Sequence, residues 1–207
     1  MQLGLGTGRA AEAFIRRLGR AVADGLDVVG IPTSDRSERL AGEHGIRLGS
    51  FAEVSRLDLA FDGADEVAPD LSLVKGKGGA MLRERVVAAL AGRFIVLVTP
   101  DKLVTSLGQK CPLPVEVVPF AVAPVRRRLE SFGVVVERTG SAGGAYRTDN
   151  GNAVLDVAPA GGCWTSPREA DAAIRALPGV VDTGFFFSLA AMVLVGEGGA
   201  ARVISRT

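Results

Sequence analysis

LDLAFDGADEVAPDLSLVKGKGGAMLRERVVAALAGRFIVLVT, residues 57 to 99, passes from one short apolar segment to another through an acidic bend, a glycine-rich loop and an amphipathic stretch. LDLAF (57 to 61) and FIVLVT (94 to 99) have the length and composition of buried strands. Between them Leu82, Val86 and Leu90 recur every four residues and Gly92 follows as a stop, which predicts a helix over 79 to 91. Strand, helix, strand is the repeating unit of a parallel sheet, because parallel neighbours need a crossover long enough to hold a helix. The alternation continues upstream. Strands are expected at 2 to 5 (QLGL) and 27 to 31 (DVVGI); Ala10, Ala13, Phe14, Leu18, Ala21 and Val22 mark a helix over 9 to 23, and a shorter one fills 35 to 44.

From about residue 112 the character changes. CPLPVEVVPF holds three prolines in ten residues. Beyond it the pattern reads helix (124 to 132), strand (134 to 139), a Gly-rich turn, strand (153 to 157), helix (167 to 177) and strand (180 to 186). This βαββαβ rhythm predicts a small α+β domain over 112 to 187. AMVLVG and AARVIS, around GEGGA, then predict a hairpin returning to the first sheet, so that 1 to 111 and 188 to 207 make the other domain.

At 207 residues and 47% hydrophobic content the chain can bury a substantial core. Its formal charge is +1, from 24 basic and 23 acidic residues, and the longest block of one sign is Arg126-Arg127-Arg128. Such balance supplies no footprint for nucleic acid or an anionic membrane. The apolar runs fall far short of the roughly 20 residues that span a bilayer. MQLGLGTGRA has none of the zones of a signal peptide, so a cytoplasmic protein is expected. Cys111 and Cys163 lie far apart in sequence with no nearby histidine, and are expected to be buried free thiols. His44, the only histidine, precedes Gly45 where a helix should end; it reads as a helix terminus and not as a base. Proton chemistry, if present, falls to carboxylates and lysines.

GLGTG (4 to 8) joins a strand to a helix, where backbone N–H groups and the positive helix end favour an anion. It lacks the spacing of the dinucleotide fingerprint, and a ligand-free tight turn explains it equally well. TSDRSE (33 to 38) reads as a helix cap, with Glu38 near the third position. Asp62, Asp65 and Glu66 cluster where a parallel strand delivers residues to the ligand-binding edge of a sheet, and Lys75 and Lys77 follow in the glycine-rich loop. Acids and lysines so placed either divide donor and acceptor roles or form screened ion pairs in a solvated turn. Glu84 differs from them. Its helical neighbours Ala80, Met81, Val87 and Ala88 include no charged partner, and desolvation there favours a general base while the helix N-terminus opposes the shift. Lys102, in TPDKLVTSLG just after the last strand, could serve as a point charge for phosphate or lie on the surface.

Taken in order, GLGTG, PTSD, FDGADE, KGKGGAMLRE, VTPDK, PLPVEVVP, DNGNAVLDV and PGVVDTGFF resemble the motif series of type A ribose-5-phosphate isomerases across nearly the whole chain. The resemblance implies a Rossmann-like parallel-sheet domain with a smaller α+β, ferredoxin-like domain. It implies a homodimer or homotetramer of the pentose phosphate pathway that interconverts ribose 5-phosphate and ribulose 5-phosphate through a cis-enediol. Neither metal nor organic cofactor would be needed. Residue by residue, it makes Glu84 the general base and Asp62, Asp65 and Lys75 its catalytic partners. Thr7, Gly8, Arg9, Ala10, Gly63, Ala64, Gly76, Lys77, Gly78 and Lys102 would bind substrate. Three departures stand out: Arg9-Ala10 replaces the usual pair of hydroxyl residues, Lys77 replaces a glycine, and relatives usually carry a helix ahead of the first strand. Arg9 would then hold phosphate in place of the hydroxyls. Two rival readings are a sugar-phosphate-binding module without turnover, and an acyl-CoA enzyme of related fold whose glutamate is a nucleophile.

Overall fold

The structure, a computed structural model, describes residues 1–140 and 143–205. In chain order its elements are β1 (Gln2–Leu5), α1 (Arg9–Ala23), β2 (Val29–Pro32), α2 (Asp35–Glu43), β3 (Arg47–Leu48), β4 (Leu57–Gly63), β5 (Glu66–Val67), β6 (Leu73–Val74), α3 (Met81–Leu90) and β7 (Ala91–Val98). There follow β8 (Leu113–Val117), α4 (Val122–Leu129), β9 (Gly133–Glu137), β10 (Ala153–Pro159), α5 (Pro167–Arg175), β11 (Val180–Thr183), β12 (Phe185–Phe186), β13 (Ala190–Glu197) and β14 (Ala200–Ser205). They form two compact units: Met1–Ala64, Arg83–Asp101 and Ser188–Thr207 in the first, Asp65–Leu82 and Lys102–Phe187 in the second.

The first unit is a seven-stranded sheet in the order β14-β13-β7-β4-β1-β2-β3, parallel except where β14 turns back on β13. Successive strands run outward from β1 in both directions, so the strand order reverses between β1 and β4, the place where such sheets open a crevice at their carboxyl ends. Leu3, Leu5, Ile15, Leu18, Leu40 and Ile46 fill the layer between the sheet and helices α1 and α2, with Phe14 stacked on Phe61 at 4.1 Å. His44 caps α2, and a Cβ on Gly19 would stand 2.5 Å from its Cβ, so α1 and the end of α2 meet at a glycine. The expected tail hairpin is β13–β14, and β13 pairs in parallel with β7.

Helix α3 forms, and the face it buries is the one that carries Glu84 with Met81, Val87 and Ala88, not the one that carries Val86 and Leu90. Val86 is 41% exposed and Leu90 38%, whereas Met81, Glu84, Val87 and Ala88 are buried. Gly4 sets this orientation, since a Cβ there would lie 2.4 Å from Val87 Cγ1. Gly92 is no stop signal either, because β7 already begins at Ala91.

In the second unit the βαββαβ order builds an antiparallel sheet, β11-β8-β10-β9, covered by α4 and α5. Every residue of β8 is buried, and Leu113, Val115, Leu129, Leu155, Ile174 and Phe185 lie in one core cluster, where Trp164 meets Phe185 edge-on at 5.3 Å. Burial of each such side chain contributes about 1.5–3 kcal/mol. The single strand expected at 180 to 186 is two. Gly184 separates β11, in the larger sheet, from β12, which joins β6 and β5 in a three-stranded sheet. That small sheet draws Asp65–Leu82 into the unit, and the Val67–Leu103 bridge joins residues 102–111 to it, so the unit reaches beyond the expected 112 to 187. Of the expected Gly-rich turn after β9, Ser141 and Ala142 lie outside the described residues. The DNGN sequence beyond it closes on a buried carboxylate: Glu116 accepts from the Thr148 hydroxyl (2.8 Å) and from the amides of Asn150 (3.2 Å) and Asn152 (2.9 Å).

Candidate active site

Three motifs far apart in sequence converge in the first unit because β1, β2 and β4 end in register, with Leu5 opposite both Pro32 and Phe61. The turn leaving β1 is tied down on both sides. Asp62, at the end of β4 and 2% exposed, accepts the amide N–H groups of Thr7 (2.9 Å) and Gly63 (2.7 Å) on Oδ1. The Thr7 hydroxyl bonds to those of Thr33 (2.7 Å) and Ser34 (2.8 Å). Gly8 takes φ +94°, the left-handed region glycine adopts without strain, and starts α1, where Arg9 is exposed and Ala10 half-buried.

PTSD therefore does more than cap α2. Ser34 caps it in a reciprocal box whose third-position partner is Ser37, not Glu38, while Thr33 and Ser34 together hold Thr7. Only the capping signal was visible in the sequence. Gly6 is equally constrained: a Cβ there would lie 2.2 Å from Asp62 Oδ1 and 2.6 Å from Asp62 Cα. Gly6→Ala is expected to destabilise the protein by about 1–3 kcal/mol through overpacking. It should also cut kcat/KM more than about tenfold by displacing Asp62 and Thr7. Thermal unfolding and steady-state kinetics on the same preparation check both; a stable variant with full activity would contradict it.

Glu84 lies on the inward face of α3, 5% exposed, with Val87 and Ala88 buried beside it on that face. Arg83, the residue before it, pairs with Asp35 at 2.8 Å and anchors α3 to the start of α2.

The second unit carries the remaining residues. Lys75 is 2% exposed at the end of β6, its amide bonded to the Gly184 carbonyl (2.8 Å) and its ammonium 5.6 Å from the centre of the Phe186 ring. Asp65 is half-buried and accepts the Lys77 amide N–H on Oδ2 at 3.0 Å. This accounts for Lys77, since what the loop uses there is backbone and the side chain is exposed. Gly78 is exposed, and Lys102 is half-buried at the end of the 3-10 turn Pro100–Lys102. Glu66, the third acid of the cluster, has a different task from its neighbours. Fully buried, it accepts backbone N–H groups from Gly108 (2.6 Å), Lys110 (2.5 Å) and Cys111 (2.9 Å). Burial, reinforced by the Glu66 and Asp65 carboxylates, pushes the Cys111 thiol far above its usual range; both cysteines are free and half-buried.

The loop after Lys75 is clamped by residues that the sequence did not single out. Arg138 donates from Nη1 to the carbonyls of Gly76 and Lys77, both at 3.0 Å, and the hydroxyl of Tyr146, the only tyrosine, donates to Gly78 O at 3.1 Å. Asp156 on β10 orients the guanidinium through two bonds, Nε to Oδ2 at 2.8 Å and Nη2 to Oδ1 at 2.5 Å. Burial raises the Tyr146 phenol above its ordinary value, so it stays protonated and a donor at neutral pH. Gly79 is required beneath it, having φ +78° and leaving no room for a Cβ, which would fall 1.9 Å from Tyr146 Oη.

The sequence profile described as Ribose 5-phosphate isomerase A (phosphoriboisomerase A) matches residues 29–199. Ribose-5-phosphate isomerase A of Gloeobacter violaceus is 47% identical over 206 residues, covering 99% of this chain and 89% of that protein. A solved D-ribose-5-phosphate isomerase in complex with phospho-erythronic acid superposes with a TM-score of 0.95 at 38% identity, over 100% of this chain and 91% of the other. Ribose 5-phosphate isomerase A from Methanocaldococcus jannaschii gives 0.93 at 40% identity, again over 100% and 91%.

Proposed function

Because the chain belongs to the ribose 5-phosphate isomerase A family and is thus an aldose–ketose isomerase of ribose 5-phosphate, we propose that Glu84 is its general base and that the reaction passes through a cis-enediol. The observation that carries this is the burial of Glu84 on the apolar face of α3. A carboxylate withdrawn from water there is poised to accept a carbon-bound proton. In the aldose direction Glu84 takes the proton from C2, the electron pair forms the C1–C2 double bond, and the carbonyl oxygen O1 gains negative charge and a proton. Loss of the O2 proton, which makes up for the one O1 has gained, then re-forms a carbonyl at C2, and Glu84 returns its proton to C1. Lys75 stabilises the charge on the enediolate oxygens. Asp62 and Asp65 orient the sugar hydroxyls and assist ring opening.

Thr7, Gly8, Arg9, Ala10 and Lys102 hold the phosphate and adjoining atoms, so that binding energy far from the reacting carbons positions them. Gly63, Ala64, Gly76, Lys77 and Gly78 contribute backbone contacts. The relative solved with phospho-erythronic acid supports a site for an open-chain phosphorylated sugar acid. The working enzyme is a cytoplasmic homodimer or homotetramer of the pentose phosphate pathway and needs neither metal nor organic cofactor. Among the described residues no helix is long and apolar enough to cross a membrane. Turnover of ribose 5-phosphate in deuterated water containing EDTA tests the chemistry. Ribulose 5-phosphate should form with deuterium entering at C1. Product that keeps the original C2 hydrogen without any exchange would replace the enediol by a hydride shift.

A further inference from the structure

The Gly76–Lys77 peptide group is bonded at both ends. Its carbonyl accepts from Arg138 Nη1 and its N–H donates to Asp65 Oδ2, each at 3.0 Å. One peptide plane thus stands between a guanidinium and a carboxylate. Polarisation by the cation strengthens what the amide offers the anion, because hydrogen bonds in series reinforce one another. The guanidinium is fixed in turn by the Asp156 fork, and lies 5.6 Å from the centre of the Tyr146 ring. Three consecutive carbonyls, those of Gly76, Lys77 and Gly78, are held by Arg138 and Tyr146. A loop of glycines has much backbone entropy to lose on ordering, and this clamp takes it before substrate arrives.

We propose that Arg138, oriented by Asp156 and backed by Tyr146, is a positioning residue for the isomerisation, acting on Asp65 through the Gly76–Lys77 peptide. The inference rests on the catalytic role given above to Asp65. Among the described residues Arg138 meets carbonyls, the Asp156 carboxylate and an aromatic ring, and no step of the reaction needs it to meet substrate. Lysine cannot replace it, since a single ammonium cannot fork onto Asp156 and reach two carbonyls at once.

A double-mutant cycle on the full-length enzyme tests the relay, with ribose 5-phosphate as substrate and thermal unfolding as the check on folding. Arg138→Met and Arg138→Lys should each lower kcat about 10–100-fold, with KM changed less than about threefold, as expected when a reacting group is displaced by a fraction of an ångström. In Asp65→Asn the same Arg138→Met change should cost no more than about threefold, because residues acting through one another are not additive. Full kcat in folded Arg138→Met, or losses that multiply in the double variant, would overturn the relay while leaving Asp65 its role. Full kcat in Asp65→Asn would overturn that role and the relay with it. Should Arg138→Met fail to fold, Asp156→Asn, which keeps the guanidinium but frees it, is read by the same criteria.

Discussion

Glu84→Gln is expected to lower kcat about 10²–10⁴-fold in both directions, the span attributable to a general base. KM should hardly move. Glutamine keeps the length and shape of the side chain, so the packing of α3, with Met81, Val87 and Ala88 inward, has no reason to change. What it removes is the capacity to accept a proton from carbon. Spectrophotometric detection of ribulose 5-phosphate gives the rate, and exchange of the C2 proton with solvent gives a second reading that does not depend on product release. Both must fall together. A variant that still exchanges the proton at the normal rate would move the base elsewhere, with Asp62 or Asp65 next in line.

Lys75→Met should be nearly as damaging, with kcat lowered about 10²–10³-fold, the usual loss when one preorganised group that faces developing negative charge is taken away. Methionine matches the length of the buried aliphatic stem and can rest against Phe186 as the lysine does. The cost therefore falls on the charge. Circular dichroism and thermal unfolding separate that loss from a disturbed β6–β12 pairing, which the Lys75 amide supports through Gly184. Unchanged kcat in a folded variant would remove the ammonium from the enediolate step.

The parts of this protein legible in its sequence are those governed by local pattern. Strand–helix alternation marks β1, α1, β2, α2 and β4 closely, and the βαββαβ order of the second unit follows from periodicity and turn residues. The burial of Glu84 was legible because its neighbours three and four residues away are apolar, a local property that survives folding. The leucines of α3 mark the helix but not its buried face, for a long-range reason: Gly4 lets Val87 approach β1, and that contact turns the helix. Glu66 looked like one more acid in a cluster. Its real partners are amides more than forty residues away. Arg138 and Tyr146 gave no sign either, since an arginine and a tyrosine flanking a glycine-rich turn carry no periodic signal; only the folded loop shows which carbonyls they hold.

β7 has β4 on one side and β13 on the other, and β13 follows β7 in the chain only after the long segment Lys102–Phe187 of the second unit. Until the ribosome has delivered it, β7 shows a bare edge through the synthesis of Lys102–Phe187. An unpaired edge of this kind invites pairing with another nascent chain. The hairpin with β14 thus serves as a late seal on a sheet otherwise assembled long before. Its timing makes an interruption of translation between β7 and β13 more hazardous to solubility than a comparable delay before β7 is made.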